Sequence, residues 1–106
     1  MDRVAGARGQ GRDSESGGAV IASEAELAAR TRCLPELFAD RVRAADLEGL
    51  RSMAGGGEWG ELLDLLTAAL RLTGATITTR EHNLLRELLT SWGLPTDQLA
   101  DLVVSQ

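Results

Sequence analysis

The chain has 106 residues and a net charge of −5, a length that favours one domain with a modest core. Leucine dominates the apolar residues, and Phe38, Trp59 and Trp92 are the only aromatic ones, so the composition favours helices over strands. The acidic balance disfavours direct binding to nucleic acid, because phosphate binding depends on Arg and Lys. It fits either solubility alone or docking onto a basic protein surface. We therefore predict an all-α protein, a compact bundle of four or five short helices.

The sequence contains no pattern typical of a membrane span, a secretory leader or a cofactor site. No apolar run approaches the roughly 20 residues that cross a bilayer, and the N-terminal sequence MDRVAGARGQGRD contains no apolar leader region. Cys33 is the only cysteine, which excludes an intramolecular disulfide and a cysteine-based metal site. We expect it in the core or at its boundary. These features predict a cytoplasmic protein with no membrane contact and no cofactor.

Residues 1–18 differ in composition from the rest of the chain. They hold five glycines, three arginines and three acidic residues, with too few apolar side chains to offset the entropy of ordering. We predict a disordered, dispensable tail that is either a flexible arm or without a role. A helical domain over residues 19–106 would then carry the whole net charge.

The first two helices are predicted from cap and stripe patterns. Ser23 and Glu26 form a capping-box pattern that opens a helix over residues 24–33. Pro35 suits the first turn of a second helix, where its missing N–H has no cost. That helix would carry an apolar stripe with spacings of three and four, formed by Leu34, Leu37, Phe38, Val42 and Ala45.

The strongest helical signal covers residues 58–72. Its apolar positions predict a central helix with Trp59, Leu62, Leu63, Leu66, Ala69 and Leu70 in the core, and with Leu65 and Leu72 widening the stripe. Asp46 is expected to cap a short helix before it, ending at residues 55–57. Gly74 is expected to end the long helix in the left-handed conformation.

Two further helices are predicted towards the C-terminus. Thr78 and Glu81 form a second capping-box pattern. The helix that follows would end at Gly93 and turn Leu84, Leu85, Leu88, Leu89 and Trp92 inward. Residues 75–77 are the one stretch that could be extended, although the sequence suggests no partner strand. A last short helix is predicted from residues 94–97 through Leu102 and Val103.

Candidate catalytic chemistry depends on His82, the only histidine. A triad needs a nucleophile, a base and a carboxylate that converge, and a zinc site needs three or four ligands at suitable spacing. His82 lies one turn before Leu85, an ordinary position for a boundary residue. We therefore predict that the protein is not an enzyme, with a small His82-dependent enzyme as the least favoured reading.

One charge pattern suggests a binding role. Glu58, Glu61 and Asp64 recur at spacings of three and would occupy an arc of roughly 120° on the central helix. They can be a solvated face that suits the positive helix N-terminus, or a docking strip for cationic residues of a partner. If they do not bind, the surface around Asp40, Asp46 and Glu48 is the next candidate.

The central segment also resembles a known family. Its features are the helix opening Gly57-Glu58-Trp59-Gly60, the leucine-rich helix after it, the connector Ile77-Thr78, the polar start Thr79-Arg80-Glu81 and the closing Trp92-Gly93-Leu94. In this order they make residues 46–94 similar to the MafI-type immunity proteins of bacterial polymorphic toxin systems.

The resemblance implies an immunity protein that binds a cognate toxin and blocks its active site or substrate access. Because many such toxins act on nucleic acid and are basic, an acidic inhibitor could occupy a cationic groove and associate fast. Tight binding would also need an apolar or aromatic anchor. The alternative is a small helical adaptor or regulatory module that binds another protein. The oligomeric state stays open.

Overall fold

The computed structural model describes residues 23–105, so the predicted tail over residues 1–18 lies outside the described part. Within that part the chain is mostly helical, which confirms the predicted class. Its α-helices are α1 (Glu24–Arg32), α2 (Leu34–Leu37), α3 (Ala44–Gly56), α4 (Trp59–Thr73) and α5 (Thr79–Ser91). Short 3₁₀ turns occupy Ala39–Arg41 and Asp97–Asp101. None of these helices is long and apolar enough to cross a bilayer.

Helix α4 supplies the centre of the core, as its apolar stripe predicts. Its buried residues are Leu62, Leu63, Leu66, Thr67, Ala69 and Leu70. They pack with Phe38, Leu50 and Ile77, and with the α5 residues Leu85, Leu88 and Leu89. The prediction for Leu72 is wrong, because its side chain is 60% exposed. At about 100° per residue, Leu72 falls on the outer side of α4, away from that stripe.

Helices α3 and α4 form a tight antiparallel hairpin. A Cβ atom at Gly49 would lie 3.2 Å from Leu65 Cδ2, so glycine lets the two helices approach closely. Gly57 ends α3 with φ at 71°, a left-handed conformation that favours glycine. The prediction that Asp46 caps this helix is wrong. Arg43 holds the N-cap position, and its Nε atom donates a 3.0 Å bond to the Asp46 carboxylate.

The second predicted helix is shorter than its apolar stripe. Helix α2 ends at Leu37, the chain turns through the 3₁₀ segment, and the extended backbone of Val42 separates it from α3. Phe38 is fully buried, whereas Leu37 is 42% exposed. The apolar residues therefore keep a spacing of three and four although the helix itself is interrupted. Pro35 marks the start of the helix, but no residue of the stripe marks its end.

The connector before α5 is a strand that does have a partner, which corrects the sequence prediction. Strand β1 (Thr76–Thr78) pairs in parallel with strand β2 (Val103–Ser105), with Ile77 opposite Val104. The last predicted helix is wrong beyond residue 101, because Val103 belongs to β2. Parallel strands need a long crossover, here α5 and the 3₁₀ turn, so the partner lies too far along the chain for local patterns to reveal it.

Candidate protein-binding surface

The acidic strip, defined as Glu58, Glu61 and Asp64, lies at the surface of the molecule. Glu58 is the N-cap residue of α4, and Glu61 and Asp64 follow on the outer side of that helix. All three residues are exposed. Helical geometry places them on the side of α4 opposite Leu63 and Leu66, which point into the core. The sequence therefore predicted their exposure correctly.

The carboxylates of the acidic strip have no ion-pair partners within residues 23–105. Residues 23–105 contain eight arginines and thirteen acidic residues, which leaves a net charge of −5. Five carboxylates elsewhere pair with arginines: Glu26 with Arg30, Glu36 with Arg51, Asp46 with Arg43, and both Asp40 and Glu81 with Arg41. No arginine among residues 23–105 therefore forms an ion pair with the acidic strip, although Arg32 lies over the neighbouring Trp59 ring.

The most enclosed of these pairs joins Arg41 to Glu81 at the start of α5. Arg41 Nη1 and Nη2 donate bonds of 2.6 and 2.9 Å to the two Glu81 carboxylate oxygens. The backbone N–H of Thr78 adds a bond of 2.9 Å. Hydrogen bonds from Arg41 hold the pKa of the Glu81 carboxyl below its usual range, although partial burial opposes the shift. This carboxylate is fully engaged and contrasts with those of the acidic strip.

The other predicted acidic region does not form a comparable surface. Asp46 is largely covered by its pairing with Arg43, its side chain being 16% exposed. Asp40 is exposed, but its carboxylate accepts a bond of 3.3 Å from Arg41 Nε. Glu48 is exposed on α3. Two of the three charges are therefore partly neutralised.

Trp59 and Trp92 lie at the edge of the core. This position corrects the sequence prediction, which placed both side chains inside the core. Both pack against buried residues but remain partly exposed. Their rings stack with centroids 6.1 Å apart and an interplanar angle of 23°. The indole N–H of Trp92 donates a 3.0 Å bond to the hydroxyl of Thr31, which is fully buried. The spacing of apolar residues did not predict this partial exposure. Trp59 is the first residue of α4 and Trp92 is the C-cap of α5, so each side chain lies at the end of its helix.

Arg32, which the sequence did not single out, lies over one of these rings. Its guanidinium carbon is 5.1 Å from the centre of the Trp59 ring, a distance that allows a cation–π interaction. Arg32 is exposed in the last turn of α1. The next residue, Cys33, is also exposed, which corrects the prediction of a core or boundary cysteine. Nothing in the local sequence connects Arg32 with Trp59, which lies 27 positions further along the chain.

His82 lies partly exposed on α5. Arg86 Nη2 donates a bond of 3.2 Å to its Nδ1 atom. Over residues 23–105, no group of three or more His, Cys, Asp or Glu side chains is arranged to hold a metal ion. The chain matches no protein family, no curated protein and no solved structure.

Proposed function

We propose that the protein is an immunity protein that binds a cognate bacterial toxin in the cytoplasm and blocks its active site or its access to substrate. The observation that carries the proposal is the acidic strip on α4, which is exposed and has no ion-pair partner within residues 23–105. The motif resemblance of residues 46–94 to MafI-type immunity proteins suggests the same function, although no family model matches the chain.

The proposed mechanism is occupation of a cationic groove. A toxin that cleaves or modifies nucleic acid needs positive charge in its active site to bind phosphates. Glu58, Glu61 and Asp64 would take the place of those phosphates, and their rigid mounting on a central helix limits the entropy lost on binding. Long-range attraction would speed association, which matters for an inhibitor that must act before its toxin does.

Co-expression tests this function directly. The test requires a partner that fits the proposal, the C-terminal toxin domain of a secreted protein encoded immediately upstream of this chain's gene, produced from an inducible promoter in a bacterial host. We expect the full chain to restore growth and to co-purify with that domain. Continued toxicity in the presence of abundant, folded chain would overturn the proposal.

A charge-neutralised variant tests whether the acidic strip is responsible. Glu58→Gln, Glu61→Gln and Asp64→Asn together keep side-chain size, and we expect them to weaken protection. The matched control, Glu24→Gln, Asp97→Asn and Asp101→Asn, removes the same charge from three exposed positions outside both candidate surfaces. Equal protection by the two triple variants would place the binding surface elsewhere on the molecule.

A further inference from the structure

We infer that the face of Trp59 covered by Arg32 is a guanidinium site, which an arginine of the basic partner takes by displacing Arg32. The inference rests on the proposed function, since it requires a basic protein partner. The negative face of an aromatic ring attracts a cation, and indole does so most strongly. Arg32, 5.1 Å from the ring centre, marks where a partner's guanidinium would lie.

The Trp59 ring is held in a fixed position before any partner arrives. It stacks on Trp92, whose indole N–H is bonded to the Thr31 hydroxyl at 3.0 Å. Thr31 is fully buried and in turn donates a 2.8 Å bond to the backbone carbonyl of Leu27. This chain of contacts ties the partly exposed ring to the core. A ring that is already fixed loses little conformational entropy when it binds.

Arg32 has no ion-pair partner in the described part of the chain that would hold it on the ring. It is also exposed. Arg30, two residues earlier on α1, pairs with Glu26 at 3.5 Å. A cation–π contact at an exposed site is weak, so a second guanidinium can replace the first at low cost.

Charge complementarity favours a cation as the incoming group. Glu58 directly precedes Trp59 and begins the acidic strip, and the described residues carry a net charge of −5. This surrounding potential attracts a positive side chain from outside. Arginine suits the site better than lysine, because a planar guanidinium stacks on an aromatic face and is more weakly hydrated than an ammonium group.

The test uses the full chain and an octa-arginine peptide at low salt, followed by tryptophan fluorescence. The chain has two tryptophans and no tyrosine, so its emission comes from Trp59 and Trp92 alone. Arg32→Ala uncovers the ring, whereas the matched control Arg30→Ala removes the same charge two positions away and leaves Arg32 in place. We expect Arg32→Ala to bind the peptide about fivefold more tightly than Arg30→Ala does, with a larger change in emission.

Equal affinities of Arg32→Ala and Arg30→Ala for octa-arginine would overturn the inference, and so would the absence of binding by both. Equal affinities would mean that the peptide responds only to the overall charge, and no binding would mean that the uncovered ring is not a site for a guanidinium. Octa-lysine should gain less from Arg32→Ala than octa-arginine does, and an equal gain would contradict a guanidinium site. Adding Trp59→Leu to Arg32→Ala should remove the gain. Should that double variant fail to fold, the affinities of Arg32→Ala and Arg30→Ala for octa-arginine still decide whether the guanidinium site exists.

The peptide experiment involves no toxin, so its outcome is independent of the co-expression test. A failed peptide test with full protection in cells would remove the guanidinium site and leave the immunity function. Peptide binding that follows the expected pattern, without protection in cells, would retain the site and reject the immunity function.

Discussion

Helices α4 and α5 both carry a glutamate at the third helical position, Glu61 and Glu81, but the two glutamates have different surroundings. Helix α5 begins with a reciprocal capping box, in which the Thr78 hydroxyl accepts from the Glu81 N–H and the Glu81 carboxylate accepts from the Thr78 N–H. Arg41 then binds both carboxylate oxygens. Helix α4 begins at Glu58 with no side-chain cap bond, and the first-turn carboxylate of Glu61 is exposed.

The difference shows that an acidic residue in the first helical turn can serve stability or remain available for binding. Both starts gain from the favourable interaction of a negative charge with the helix N-terminus. Of these two helices, only α5 has a first-turn carboxylate that also binds an arginine from a distant part of residues 23–105. This arginine is Arg41, which lies 40 residues before Glu81. The charge at the start of α4 stays open to solvent and to an approaching cation.

The largest effect that would test this comparison is expected from Glu81→Ala. The substitution removes half of the capping box and leaves the partly covered Arg41 guanidinium without its bidentate acceptor. We expect it to lower the free energy of unfolding by about 2 kcal/mol in urea denaturation. Glu61→Ala, which removes an exposed first-turn carboxylate, should change it by less than about 0.5 kcal/mol. Equal losses would show that the two helix starts do not differ in stability.

The open start of α4 should matter more for binding than for folding. With the toxin domain as partner, the Glu58→Gln, Glu61→Gln and Asp64→Asn variant should associate about tenfold more slowly at low salt. The difference should shrink at high salt, since the screening length falls from about 10 Å at 0.1 M to about 3 Å at 1 M. Stopped-flow or biosensor kinetics measure both rates. Unchanged association would make the acidic strip only a solvated helix face.

Alanine substitution of the two N-cap residues, Thr78 and Glu58, should lower the free energy of unfolding by smaller and unequal amounts. Thr78→Ala removes a hydroxyl that accepts a 3.0 Å bond from the Glu81 N–H, and should cost about 1 kcal/mol of stability. Glu58→Ala removes no cap bond, and only the interaction with the helix dipole is lost, about 0.3 kcal/mol. Thermal or chemical unfolding of the two variants under one condition measures the difference. A larger loss from Glu58→Ala would contradict an uncapped start.

The mildest test is acidification. Because the folded-state pKa of Glu81 is below its ordinary value of 4.5, its stabilising contribution is present above that pH and is lost as the pH falls through the lower folded value. The free energy of unfolding should therefore decline more steeply in the wild type than in Glu81→Gln between about pH 5 and about pH 3. Glu61→Gln serves as the control, because it removes a first-turn carboxylate that pairs with no arginine among residues 23–105. Parallel curves for wild type and Glu81→Gln would exclude this linkage.

Local sequence patterns were sufficient for the features that short-range physics decides. The period of the apolar residues predicted the buried face of α4, and the Thr78–Glu81 spacing predicted the capping box of α5. Gly74 has the expected left-handed conformation, with φ at 65°. The exposure of the acidic strip was also predictable, because a residue's place around a helix follows from its spacing.

Long-range packing decided the remaining features. The pairing of Ile77 with Val104 spans the whole of α5, and no spacing rule connects strands so far apart. The sequence likewise gave no reason to join Arg41 to Glu81 or Arg32 to Trp59, since each pair forms only when separate helices are brought together. Helix packing also left Trp59 and Trp92 at an edge that local periodicity had assigned to the core. Periodicity fixes the direction in which a side chain points, but only the neighbouring elements determine whether anything covers it.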